Sequence, residues 1–147
     1  MEFNGTVDIQ APRQAVWDFL TDAEEVSQCA PGLESLEVVE GGKKFLVVAS
    51  IGLGNIKARF NAEVEWLEMD APHFAKMKAH GDAPGSAADV ISEMVLEEKD
   101  DGGTELGWKA DINIVGTIAS LAARMMGGVT QKMTGDFFDC VRKKIEA

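Results

Sequence analysis

The residues able to do chemistry are few and poorly matched to one another. The two histidines are His73, directly after Pro72, and His80, directly before Gly81. If the strand between them is regular, a separation of seven residues places them on opposite faces, because side chains alternate along a strand. Neither then partners the other in acid–base work, and histidines at strand ends are commonly solvated. No HExxH, CxxC or aspartate-rich calcium loop occurs, so the sequence predicts no metal and no cofactor. No serine sits in a GxSxG elbow, and tyrosine, a common interior proton donor, is absent. Gly52-Leu53-Gly54-Asn55 begins like a dinucleotide glycine motif, but a strand rather than a helix follows it, so it reads as a hairpin turn. At a cavity rim the same loop would act as a gate.

Cys29 and Cys140 are far apart, and the N-terminus lacks the basic start and apolar run of a signal peptide. These features predict two reduced thiols in a cytoplasmic protein rather than a disulfide. The carboxylates fall mostly in polar registers, as with Glu63 and Glu65, Glu93 and Glu97, and Asp111. A catalytic pair would need the apolar register, where burial shifts pKa values. The formal charge of −11 repels phosphate backbones and anionic headgroups, which argues against nucleic acid as a partner. Transient membrane contact through an apolar patch stays open, but no stretch approaches the roughly 18 apolar residues of a membrane span.

The elements that would position a site follow from periodicity. Glu2 to Gln10 alternates as a half-buried strand, and Pro12 opens a short helix over Arg13 to Leu20. Thr21-Asp22 caps a second short helix ending near Cys29. Strands follow over 33–40, 44–51, 56–69, 73–80, 88–98 and 104–115, joined by turns at Gly41-Gly42, Gly52 to Asn55, Asp70 to Pro72 and Asp100 to Gly103, and by a loop over Gly81 to Ala87. Short connections imply antiparallel pairing. From Thr117 to Ile145 the apolar spacing changes to threes and fours, the mark of a long amphipathic helix. One domain, 1–147, is expected, in which that helix covers the apolar face of a seven-stranded sheet.

The inner register of the sheet alternates small with bulky residues: Ala49, Ala58, Ala62, Ala75, Ala79, Ala88 and Ala110 among Phe60, Met77, Val90, Met94, Trp108, Ile112 and Ile114. Either the helix sits very close, which Gly127-Gly128 would suit, or space remains beneath it. The helix offers Met125, Met126 and Met133, flexible side chains that suit an adaptable pocket.

The order β-α-α-β6-α resembles the START-like, or Bet v 1-like, helix-grip superfamily, and more specifically the CoxG family associated with carbon monoxide dehydrogenase. The resemblance is carried by Ala11-Pro12-Arg13-Gln14-Ala15-Val16-Trp17, Cys29-Ala30-Pro31-Gly32-Leu33-Glu34-Ser35-Leu36, the run from Gly52 to Phe60, and Lys132 to Val141 with Phe137-Phe138. It implies an α+β helix-grip fold with an apolar cavity between sheet and helix, no bound metal, and a setting beside a molybdenum hydroxylase. It also implies handling of an apolar small molecule such as a quinone or other lipid, at the inner face of the membrane. Many relatives end in a hydrophobic anchoring tail, whereas this sequence stops at Ala147, so a permanent anchor is not expected. The residues expected to line the cavity are Phe60, Met77, Met94, Trp108, Ile112, Leu121, Met125, Val129 and Phe137, with Trp108 and Phe137 placed to stack on a flat ring. The expected role is a non-enzymatic carrier. The alternative is a cyclase- or hydrolase-type enzyme using the same cavity, which would need polar groups projecting inward. An interaction protein steered by its acidic surface is compatible with the carrier.

Overall fold

The computed structural model describes every residue except Glu40, Gly42 and Ala147. Along the chain run β1 (Glu2–Ile9), α1 (Arg13–Thr21), α2 (Ala23–Ser27), β2 (Leu33–Val39), β3 (Lys44–Leu53), β4 (Ile56–Asp70), β5 (Phe74–Ala83), β6 (Ser86–Glu98), β7 (Thr104–Gly116) and α3 (Ala119–Ile145). The seven strands form one antiparallel sheet in the order β1-β7-β6-β5-β4-β3-β2. From β2 to β7 every strand pairs with its successor, and β1 closes onto β7. This is the helix-grip arrangement.

Residues directly opposite one another in an antiparallel pair share a face. The register therefore fixes what points inward. Trp66 faces Met77, Ala75 faces Met94, Met94 faces Trp108, and Leu96 faces Leu106, giving one continuous apolar surface across β4 to β7. Lys44 with Glu63 and Glu65, and Lys76 with Glu93, form ion pairs on the other face. Thr104, fully buried where β7 begins, donates its hydroxyl to the Ala11 carbonyl at 2.8 Å and ties the exit of β1 to the sheet.

Three sequence expectations change. The predicted loop over Gly81 to Ala87 is mostly strand: β5 runs to Ala83 and β6 starts at Ser86, leaving Pro84-Gly85 as the turn, with Gly85 at φ +75°. Gly81 lies inside β5 because a Cβ there would press on Phe60 and Ala62, 3.3 to 3.4 Å away. Gly127 and Gly128 do not bring α3 close to the sheet, since both are exposed and a Cβ on either would meet nothing within 4 Å. The expected pair of reduced thiols is overturned too: Cys29 and Cys140 form a disulfide, their Cα atoms 5.5 Å apart. The expectation rested on compartment and sequence distance, whereas the fold sets the end of the α2 segment against the last turns of α3. Of the predicted turn at Gly41-Gly42, Gly42 lies outside the described residues.

The core has two compartments. The larger joins Ile9, Val16, Phe19, Leu20, Leu96, Leu106 and Val141 around the C-terminal half of α3. The smaller packs Leu53, Ala122 and Met126 with Ile51, Ile112, Ile114, Leu121, Met125 and Val129 under its N-terminal half. With 27 residues α3 is about 40 Å long, enough to serve both.

Candidate functional site

Between the sheet and the C-terminal half of α3 lies a cavity of about 400 Å³, toward the small end of the roughly 300–1,000 Å³ typical of small-molecule sites. Its floor is the inner face of the sheet: Phe45 and Val47 on β3, Val64 and Trp66 on β4, Ala75 and Met77 on β5, Met94 on β6, Leu106 and Trp108 on β7. Phe137 and Phe138 on α3 form one wall, their rings edge to face with centroids 5.0 Å apart. The opposite wall comes from Leu20 and Thr21 on α1, Ala23, Val26 and Ser27 on α2, and Ala30, Leu33 and Leu36 beyond it.

Local sequence explains each wall. Pro12 stands at the N-cap of α1 in extended conformation, a position where its missing N–H costs nothing. Asp22 separates the two short helices on its own and caps the second, its carboxylate accepting the N–H groups of Glu24 at 3.0 Å and Glu25 at 3.3 Å. Gly5 gives the Trp108 indole its place across β1, because a Cβ there would fall 2.9 Å from Nε1. Helix α2 has no fully buried residue, and only Ala23 and Val26 pack partly against the core. It is further tethered by the Cys29–Cys140 disulfide and by Lys144 Nζ, which donates to Gln28 Oε1 at 2.9 Å.

The polar groups at the cavity are few. Glu93 and Lys109 border it through their backbones, for they sit opposite each other in the outward register, where Glu93 meets Lys76 at 3.7 Å. The hydroxyls of Thr21 and Ser27 are spent on the carbonyls of Trp17 and Glu24, at 2.7 and 2.9 Å. Ser92 points inward from β6, opposite Met77 and Ala110.

Four of the residues expected from sequence to line a cavity meet here: Met77, Met94, Trp108 and Phe137. Ile112, Leu121, Met125 and Val129 pack instead in the smaller compartment around Leu53, Ala122 and Met126. Phe60 is buried on β4 beside Gly81. The continuous apolar stripe of α3 gives no sign of where its two compartments divide, which is why the sequence merged them. The Gly54-Asn55 turn closes the β3–β4 hairpin beside Met125, at the end of the sheet away from this cavity, and so does not gate it. Sequence reading missed the α1–α2 wall and the inner residues of β2 to β4. Ser92 was within its reach, since it shares the parity of Val90 and Met94.

The histidines stand apart from the cavity. His73 precedes β5 and its Nδ1 lies 3.3 Å from the Leu96 carbonyl. His80 faces outward between two carboxylates, Nδ1 at 2.7 Å from Asp89 and Nε2 at 3.3 Å from Asp82. The hydrogen bond to Asp89, then the charges of Asp82 and Asp89, raise its pKa above the ordinary 6.5. The raised value means that the folded state favours the imidazolium. Its stabilising contribution is complete below the unfolded pKa and is lost as pH rises through the folded one. Urea midpoints of the wild type and His80→Gln should therefore differ most below the ordinary value of 6.5 and converge as pH rises through the raised folded value. A difference that grows with pH would contradict this account.

Among the described residues no group of three or more His, Cys, Asp or Glu side chains is arranged to hold a metal ion. No helix among them is long and apolar enough to cross a membrane. The sequence pattern of the carbon monoxide dehydrogenase G subunit, CoxG, matches residues 5–146. The chain belongs to the CoxG family. No curated protein matches it in sequence. In three dimensions, a conserved protein from Geobacillus kaustophilus superposes on this CoxG-family chain with TM-score 0.89 at 26% identity, covering 98% of this chain and 94% of that one. The Zhui aromatase/cyclase from Streptomyces sp. R1128 gives 0.75 at 17% identity, with 98% and 92% covered. Ara h 8.0201 gives 0.65 at 19%, with 93% and 92% covered. The last two carry the fold alone and identify it as the Bet v 1-like helix-grip.

Proposed function

We propose that this CoxG-family protein is a non-enzymatic carrier that holds an apolar small molecule, a quinone or other lipid, in the cavity under α3. The reading adds that it serves a carbon monoxide dehydrogenase-type molybdenum hydroxylase, with transient contact at the inner face of the membrane. The observation that carries it is the cavity itself, walled by aromatic rings and two methionines. An apolar guest of matching shape would gain dispersion contacts with these walls. The family match supports the partner, and the fold neighbours support a ligand site between sheet and helix.

The aromatase/cyclase neighbour raises the enzymatic alternative. Turnover would require acid–base groups at the guest, and the ionisable residues bordering the cavity, Glu93 and Lys109, belong to the outward register. The carrier is therefore the better supported reading.

Trp66 and Trp108 both line the cavity, so a bound quinone should quench their fluorescence. Titration with menadione should give saturable quenching in the wild type, and Met77→Trp, which fills the space between Trp66 and Ser92, should lower affinity at least tenfold. Equal quenching in both proteins would place the quinone elsewhere and sink the reading.

A further inference from the structure

Ser92 stands out on the inner face of β6, where its neighbours in register are Ala88, Val90, Met94 and Leu96. Directly across the sheet it faces Met77 on β5 and Ala110 on β7. Neither offers a strong donor or acceptor, a thioether being a weak acceptor and a methyl group none. Among the described residues its hydroxyl, unlike those of Thr21 and Ser27, makes no hydrogen bond within the protein. Ser92 is half-buried and its hydroxyl stays reachable through the cavity, so a guest that brought no oxygen would cover it without a partner, at a cost. Nothing in the packing demands it, since alanine or valine would suit the register.

The electrostatics of the space add a second constraint. Among the described residues no cationic side chain faces inward into the cavity: Lys109 is in the outward register and Lys76 is paired with Glu93 outside. A carboxylate or phosphate entering the cavity would leave water for walls of phenylalanine, tryptophan and methionine with no counter-charge, a heavy desolvation cost. The cavity volume of about 400 Å³ suits a fused ring system, and Trp108 and Phe137 supply flat faces for it.

We infer that the cavity selects a neutral ring-bearing molecule whose hydroxyl or carbonyl oxygen is hydrogen-bonded by Ser92, and that it rejects anionic lipids such as fatty-acid carboxylates. A serine hydroxyl both donates and accepts, so it serves a carbonyl or a hydroxyl equally. The inference rests on the cavity being a ligand site, and names the chemistry recognised there. Ser92 is a specificity-determining contact, one directed bond in an otherwise undirected pocket, and it fixes which edge of the ring points toward β6.

Three probes of matched shape test it: naphthalene, 2-naphthol and 2-naphthoate, titrated into wild type and Ser92→Ala and followed by amide NMR shifts at neutral pH. In the wild type 2-naphthol should bind, with the Val90 to Met94 amides shifting, and 2-naphthoate should bind at least tenfold more weakly. Ser92→Ala should weaken 2-naphthol about fivefold, the loss of one neutral hydrogen bond, and leave naphthalene unchanged. Ser92→Thr, which keeps the hydroxyl, should retain most of the 2-naphthol affinity. If alanine weakens naphthalene and 2-naphthol alike, or if 2-naphthoate binds as well as 2-naphthol, the inference is overturned while the cavity stands as a ligand site. Binding of none of the three would overturn the ligand site itself.

Discussion

Replacing both cysteines, Cys29→Ala with Cys140→Ala, should lower unfolding stability by about 3–5 kcal/mol. The bond spans 111 residues of sequence, and in the chain-entropy account a cross-link stabilises more as the loop it closes lengthens. Equilibrium urea unfolding of the oxidised wild type and the double variant checks the figure, and a change below about 1 kcal/mol would show that the link is energetically idle. A local effect should accompany the global one. Because α2 has no fully buried residue and is held by the partial packing of Ala23 and Val26 together with the link and Lys144–Gln28, the amides of Ala23 to Ser27 should exchange faster in the variant. Since Val26 and Ser27 form a wall of the cavity, ligand exchange should quicken as well.

Leu106→Ala should cost about 3 kcal/mol, within the range for removing a fully buried leucine. Leu106 is 1% exposed, pairs with Val7 and Leu96, and touches the cavity from β7. Its position makes the consequence more than a stability loss. The space vacated by the side chain adjoins the existing cavity, so truncation should enlarge the site rather than leave a separate void. The variant should then recover part of its stability when a bulkier ring compound is added, by ordinary linkage between binding and folding. Thermal unfolding with and without a three-ring probe such as phenanthrene would register this as a larger upward shift in the variant than in the wild type. An equal shift in the two proteins would mean that the vacated space has collapsed.

Leu106 and the disulfide illustrate what the sequence can and cannot disclose. Leu106 belongs to a strand whose alternation is plain from Thr104 to Ile114, and the order of all ten elements follows from such local periodicities. Cys29 and Cys140 meet only because the long helix returns past the short ones, a contact between distant segments that no local pattern encodes. The same limit divided the expected cavity residues. Met77, Met94, Trp108 and Phe137 share one compartment, whereas Ile112, Leu121, Met125 and Val129 share the spacing and polarity but sit under the other half of α3. Periodicity reports the face of an element. It does not report position along it. The turn at Pro84-Gly85 erred differently, because Gly81 and Ser86 look like loop residues until Phe60 is seen to require the first and the hairpin to pair the second with Ala83.

The division of the core under α3 also bears on how such a protein changes over generations. Substitutions around Leu53, Ala122 and Met126 are judged by the fold, and few would survive. On the carrier reading, substitutions around the cavity would be judged by the guest, so a lineage could change cargo through its C-terminal half-helix and the α1–α2 wall while the smaller compartment stayed unchanged. The two tests would then fall on different residues.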